Sequence, residues 1–478
     1  MEWTTVIGLE VHVELNTKSK IFCSCTTEFG GEPNTHCCPI CLGLPGTLPV
    51  LNKKVCEYAI KSALALNCQI NRYNRFDRKN YFYPDLPKAY QISQLYVPFS
   101  FDGSLEINTE DGLLKNIRIH EIHMEEDAGK LIHSENETYP DYNRAGVPLI
   151  EIVTEPDFRS ADEVIAFLEM LKTTFQYLKV SDCKIQEGSM RVDVNLSVMS
   201  KDSKVNGTRT EMKNIGSFKS IRRAIEYESK RQIEIIESGG VVKQETRRFD
   251  EDKGISVSMR SKENANDYRY FPEPDIPPLE FSIGFIENLR SQLPELPAKK
   301  LQRYISELEI PKSEAVIITS SIELVDLFEQ TVNLCGNPNE VSRWIVNNVM
   351  NLINESKVTL NQTLFTPEKF SDFIKTIQKG NITQQTAKEV FKLLFFAKDD
   401  FDIETYIKEK GLYMLDDFGI IREIVKDIII KNPKPIEQYK GGQTKVFGYF
   451  VGQVMKATNG KANPEVVNKI VGEELAKL

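Results

Sequence analysis

No run of about 18 apolar residues occurs in the 478-residue chain, so no membrane-spanning helix is expected. The chain also lacks a Walker A pattern and a GxGxxG loop, so any nucleotide must bind in a site that short motifs do not advertise. Neither an internal repeat nor a low-complexity tract is present, which excludes solenoids and disordered tails. A surplus of basic charge is missing too. Sixty Lys and Arg face 69 Asp and Glu, a net charge of −9. That excludes nucleic-acid binding by bulk charge, though not by a local basic patch. The opening residues, MEWTTVIGLEVHVEL, enter a strand pattern at once and carry no targeting signature. With no secretory signal, the nine cysteines read as reduced and the chain as cytoplasmic.

What is present begins with four of those cysteines. Cys23-x-Cys25 and Cys38-x-x-Cys41 lie in a turn-rich stretch, IFCSCTTEFGGEPNTHCCPICLGLPG. Two close pairs across a short loop suit tetrahedral zinc, which takes four thiolates at about 2.3 Å and leaves no open position for catalysis. Cys37 stands beside Cys38, so the ligand set could be shuffled. The thiols could also be small buried apolar groups, or disulfide partners.

Several strands carry one apolar and one ionisable face. In Thr5–Leu15, Ile7, Leu9, Val11, Val13 and Leu15 share one face, while Gly8, Glu10, His12 and Glu14 share the other. In IRIHEIHMEEDAGK, Ile122 and Met124 oppose Glu121, His123 and Glu125, and the alternation changes phase near His120, which predicts a bulge. Glu126 and Asp127 follow at once. Three adjacent acids are either a solvated turn or need a cation. Arg191–Val198 displays Arg191, Asp193, Asn195 and Ser197 together, and TRTEMKN puts Arg209, Glu211 and Lys213 on one face. Glu151 stands alone in the apolar run GVPLIEIV and needs a partner. Oxygen ligands with few nitrogens suit Mg²⁺, which with basic residues alongside is how ATP phosphates are held. The stretch NRYNRFDRKNYFYPDLPKAYQIS interleaves Arg and Lys with aromatics. That mixture suits a nucleic-acid surface, a channel wall or ordinary packing.

A chain of this length predicts about two to four domains. Up to about residue 293 the pattern is short strands, with all five histidines and eight of the nine cysteines. One helix is clear there: Ser160-x-x-Glu163 reads as a capping box before the stripe Val164, Leu168, Leu171, Phe175 and Leu178. From Pro294 the pattern is helical. ELPAKKLQRYISELEI and SEAVIITSSIELVDLFEQ both read as helices, and a break is expected at PKPIEQYKGGQTK. The fold class is therefore α+β.

The motifs IGLEVHVELNTKSKIFCSC, PNTHCCPICLGLPGTLPVLN, RKNYFYPDLPKAYQISQ, IHMEEDAGK, YNRAGVPLIEIVTEPD, QEGSMRVDVNLSV, TRTEMKNIGSF and DYRYFPEPDIPPL, with GQVMKATNGKANPEVVNKIVGEEL near the end, closely resemble the GatB/GatE family. These are the B components of aspartyl/glutamyl-tRNA(Asn/Gln) amidotransferases. The resemblance spans the chain and implies a ligase that forms a carbon–nitrogen bond with glutamine as amido donor. The glutaminase/amidase component, A, releases ammonia. The B component phosphorylates the side-chain carboxylate of Glu-tRNA(Gln) or Asp-tRNA(Asn) with ATP, and ammonia then displaces phosphate. A small third component, C, completes a heterotrimer. The resemblance implies a mixed or antiparallel-sheet cradle domain (1–293), an all-α helical domain (294–403) and a small YqeY-like tail (404–478), the last two contacting tRNA. It implies that Glu10, His12, Glu125 and Glu151 hold Mg²⁺ and serve phosphoryl transfer. Asp193, Asn195, Arg209, Glu211 and Lys213 are expected to meet ATP and substrate. Lys79, Tyr81 and Lys88 match the ammonia route, and Cys23, Cys25, Cys38 and Cys41 match a zinc knuckle present in some members. The competing reading is a tRNA-binding scaffold without catalysis. The archaeal relative specific for Glu-tRNA(Gln) carries an inserted domain that this chain is too short to hold. Which mischarged tRNA is used stays open.

Overall fold

The computed structural model describes residues 2–477 apart from residues 135, 201–206, 262–267, 398–400, 441–442 and 444. It divides into two compact units, residues 1–297 and 298–478.

The first unit is built on a nine-stranded sheet: β1 (Trp3–Glu14), β2 (Gln69–Ile70), β3 (Ser100–Asn108), β4 (Leu114–Glu126), β5 (Pro148–Thr154), β6 (Met190–Ser200), β7 (Thr210–Lys213), β8 (Glu245–Asp250) and β9 (Ile255–Ser261). The order across the sheet is β9-β8-β7-β6-β1-β5-β4-β3-β2, which puts β1 at the centre. Neighbours run antiparallel except β7 and β8, so the sheet is mixed, and with the helices the chain is α+β. The alternation of β1 is realised: Ile7, Leu9, Val11 and Val13 are at most 1% exposed and lie in the core. Helices α1 (Lys53–Ala65), α2 (Ala161–Tyr177), α3 (Phe218–Glu237) and α4 (Ile283–Ser291) complete that core.

The phase change in β4 is a bulge at His120. Glu121 pairs with Val153 and Ile119 with Thr154, so His120 is the extra residue. Ile117 and Ile119 before it, and Ile122 and Met124 after it, are therefore all buried together. The capping box of α2 forms only in half. Ser160 accepts from the Glu163 N–H at 3.2 Å, but the Glu163 carboxylate accepts from the Arg159 N–H at 2.6 Å and from Lys115 instead of from Ser160.

In the second unit, SEAVIITSSIELVDLFEQ is two helices, Lys312–Thr319 and Ile322–Cys335, because Ser321 caps the second by accepting from the Leu324 N–H. PKPIEQYK is no break; it is the helix Pro433–Lys440, with both prolines in the first turn where a missing N–H costs nothing. Most of the remaining GGQTK lies outside the described residues. Trp344 packs against Phe373 and Phe391, with ring centroids 4.7 and 5.0 Å away. Residues between Ile421 and Leu475 form their own apolar cluster. None of the described helices is long and apolar enough to cross a membrane.

A buried carboxylate ties α3 to the sheet edge. Glu228 is fully buried and accepts from Arg231, Gln232, Thr210 and Ser256, with Arg247 Nε 3.4 Å away. Burial alone would raise its pKa, but the Arg231 and Gln232 hydrogen bonds outweigh that and hold it low. Glu228→Gln keeps the shape but removes the buried charge and leaves Arg231 and Arg247 to share Glu245, so urea denaturation should show a loss of about 2 kcal/mol at neutral pH. The stability this carboxylate contributes is present above its ordinary value near 4.5 and lost as pH falls through its lower folded value. The gap between wild type and variant should therefore narrow in acid.

Candidate active site and metal knuckle

Register across three strands assembles the centre of the site. His12 on β1 pairs with Glu151 on β5, and Glu151 pairs with His123 on β4. Side chains directly opposite on one face lie close enough to touch. His12 Nε2 is 3.4 Å from Glu151 Oε2 and 3.7 Å from Glu125 Oε1, and His123 Nε2 is 3.0 Å from Glu151 Oε2. Ser93 Oγ donates to Glu125 at 3.3 Å. Burial would favour neutral imidazole at His12, but the Glu151 charge and hydrogen bond, then Glu125, outweigh it and raise its pKa to about 9. Burial would likewise push Glu151 up, yet the two histidines hold it well below the carboxylate range.

Glu10 does not converge with that trio. It faces Asp193 across β1 and β6 and falls with Asp193 and Glu211 in a second acid group. Burial, then Glu151, pushes its carboxyl pKa up. Asn195 Nδ2 donates to Glu10 at 2.9 Å, while the Asn195 Oδ1, also buried, has no hydrogen-bond partner among the described residues. Lys213 Nζ sits 2.5 Å from Asp193 and 3.3 Å from Glu211, and these charges keep it protonated against burial. Arg209 lies just before β7 and lines a smaller cleft with Gly8, Glu10 and Asn195.

His12, Glu125, Asp193 and Lys213 open onto one cavity of about 800 Å³, which Lys79 and Tyr81 also line. Burial would lower the Lys79 pKa, but Glu125 and Glu151 raise it on balance. Lys88 lies off this cavity. It lines a small cleft with Phe22, Cys23 and Cys41, and its ammonium is 2.5 Å from Glu126. The acids after Glu125 are not a solvated turn: Glu126 and Asp127 are 3% and 6% exposed, and Asp127 meets Arg191 at 2.7 Å and Arg144 at 3.3 Å.

Sequence reading missed His123 as a site residue, although it shares a face with Glu125; only the pairing with Glu151 reveals its position. Arg191, Arg144 and Asp127 were missed as a unit because their spacing in the chain carries no signal. Glu14 belongs with them: burial, then Asp127, raises its carboxyl to about 8.

The four predicted cysteines do come together. Sγ atoms of Cys23, Cys25, Cys38 and Cys41 all lie within 4.8 Å of one another, and Cys38 and Cys41 are 3.9 Å apart. Tetrahedral zinc with bonds near 2.3 Å needs sulfurs roughly 3.8 Å apart. The donor set therefore fits. Cys37 lies outside it, with its sulfur 3.9 Å from Asn143 Oδ1. The Cys41 thiol is held down to about 4 by a hydrogen bond from Cys23, against burial, with help from the Cys38 backbone and Lys20.

This architecture has relatives. The family model described as the GatB/GatE catalytic domain matches residues 5–287, and one described as a GatB domain matches residues 326–475. The chain belongs to the GatB/GatE family. It is 57% identical over 477 residues, 99% of each chain, to a protein of Lachnoclostridium phytofermentans. It is 56% identical over 483 residues to one of Caldicellulosiruptor bescii, and 52% identical over 478 residues to one of Thermoanaerobacter pseudethanolicus, all of both chains in each case. Each relative is named as the B subunit of an aspartyl/glutamyl-tRNA(Asn/Gln) amidotransferase.

The sulfur geometry makes a direct prediction. Metal analysis of purified Cys37→Ser should find the same zinc content as wild type, whereas Cys38→Ser should lose most of it. Equal losses in both variants would contradict the ligand set.

Proposed function

We propose that this chain is the activating subunit of a glutamine-dependent amidotransferase acting on Glu-tRNA(Gln), Asp-tRNA(Asn) or both. The observation that carries this reading is the single cavity lined by carboxylates of two metal-type acid groups together with Lys79, Lys213 and Arg191. Its near-identity in length to relatives named as B subunits supports the substrate class.

The chemistry follows from the poor reactivity of a carboxylate. Its negative charge repels nucleophiles and oxide is a bad leaving group. A carboxylate oxygen of the misacylated residue attacks the γ-phosphorus of ATP, ADP leaves, and an acyl phosphate remains. Ammonia then attacks the carbonyl carbon, phosphate departs, and a proton is given up to yield the amide. Lys79, Lys213 and Arg191 supply positive charge for phosphate oxygens. His12, Glu125 and Glu151 form one candidate Mg²⁺ set, and Glu10, Asp193 and Glu211 a second, with Asn195 Oδ1, which has no partner among the described residues, as a further hard donor beside it. Mg²⁺, when bound there, neutralises charge on the transferring phosphoryl group. Glu125, buried next to His12, is suited to take the proton from incoming ammonium.

Ammonia is supplied by a partner glutaminase, and a small third chain completes the complex. Lys79 and Tyr81 line its arrival on the cavity side, and Lys88, paired with Glu126, serves as a wall. The helical unit divides functionally near residue 403, its last part forming a YqeY-like tRNA-binding tail. The working site is the cytoplasm, where aminoacyl-tRNA is consumed.

The reconstituted complex should hydrolyse ATP in a manner dependent on mischarged tRNA. Glu125→Gln and Glu151→Gln should lower that rate by about a hundredfold or more while glutamine hydrolysis by the partner glutaminase persists. A wild-type complex without tRNA-dependent ATP turnover would favour a scaffold instead. Full transamidation by Glu125→Gln would remove its role as proton acceptor.

A further inference from the structure

Lys20 is fully buried, with no exposed surface, yet among the described residues no carboxylate lies within ion-pair distance of its ammonium. An isolated ammonium in the interior is costly unless it meets negative charge and its hydrogens are satisfied. Its three hydrogens have three acceptors: the His36 carbonyl at 2.8 Å, the Tyr142 carbonyl at 3.4 Å and the Cys41 sulfur at 3.8 Å. Two are neutral carbonyls. Only the sulfur can carry charge. A four-cysteine zinc site holds four thiolates against two positive charges, which leaves a net charge of about −2 for its surroundings to balance. The buried ammonium touches this site through Cys41 and offsets about half of that charge.

The same contacts cross between three segments. The backbone of Lys20 donates to the Cys25 carbonyl at 2.9 Å, its side chain reaches the second cysteine arm at His36 and Cys41, and the Tyr142 carbonyl belongs to the stretch ahead of Arg144. That stretch is laced to the loop between the cysteine pairs: the Asn34 N–H donates to Asp141 at 3.1 Å, the Tyr142 N–H to Asn34 at 2.8 Å, and the His36 N–H to Asn143 at 2.8 Å. Arg144 then meets Asp127 on the cavity wall.

We propose that Lys20 is the built-in counter-charge of the four-cysteine metal site and the pin that fixes the knuckle to the 140–144 wall of the cavity. It acts as a positioning residue, and this role is independent of the reaction proposed for the cavity. It touches neither the acid groups nor the cavity's cations.

The test uses the full chain and zinc itself. Zinc content is measured on the purified protein, and its transfer to a coloured chelator is followed in time. Wild type should hold one zinc. Lys20→Met should release it at least about tenfold faster, the size typical of lost partners around metal ligands, and Lys20→Arg should stay within about threefold of wild type. Unchanged release from Lys20→Met, or a wild type that neither carries nor takes up zinc, overturns the proposal. Should Lys20→Met not fold, amide exchange on wild type decides. Stripping the zinc should speed exchange in residues 138–146 as well as in 20–41. Loosening confined to 20–41 would overturn the pin.

Discussion

The register of β1 against its two neighbours is the constraint on which the rest of the molecule depends. The strand lies at the centre of the nine-stranded sheet, with β5 on one side and β6 on the other. Ile7, Leu9, Val11 and Val13 are sealed in the core, which fixes Glu10, His12 and Glu14 on the opposite face. Both acid groups use that face: His12 joins Glu125 and Glu151 toward β5 and β4, and Glu10 joins Asp193 and Glu211 toward β6 and β7. A slip of one residue would bury the acids and expose the core at the same time. Hydrophobic burial thus positions the chemistry, and the ionic contacts only refine it.

The two acid groups differ in how their charge is balanced. Two imidazoles stand beside Glu151, whereas Lys213 is the cation held against Asp193 and Glu211. A hydrogen-bonding ring and a long flexible ammonium are not equivalent neighbours. The first holds its carboxylate in a fixed place; the second can move aside when phosphate oxygens compete for it. The Asp127–Arg191–Arg144 cluster forms a third, permanently paired patch on the same wall. Fixed charge at one end and exchangeable charge at the other suit the exchange of polyanions proposed for this cavity.

Much of this was legible one strand at a time. The polar face of β1, the phase change at His120 and the cysteine quartet follow from spacing alone, because alternation and pair spacing are local properties. The grouping of the acids was not, since it depends on which strands become neighbours. Glu10 and His12 are two residues apart and would be assigned together from sequence, yet they serve different clusters because β1 has a different partner on each side. His123 was visible as a face-mate of Glu125 but acquires its meaning only opposite Glu151. The helix Pro433–Lys440 was hidden by prolines whose position in the first turn makes them harmless.

The bulge at His120 has a consequence for how this strand can change length. The residues before it and after it bury the same face only because one extra residue separates them. Deleting His120 itself would restore simple alternation and keep Ile119 and Ile122 on one face, whereas flattening the bulge with His120 in place would invert everything downstream. Ile122 and Met124 would turn outward, and Glu125 and Glu126 would exchange sides of the sheet. A single-residue insertion or deletion in β4 away from His120 therefore turns the site inside out, whereas a paired insertion preserves it. Such a strand can vary in residue identity at its outward positions, while its residue count can change only at the bulge.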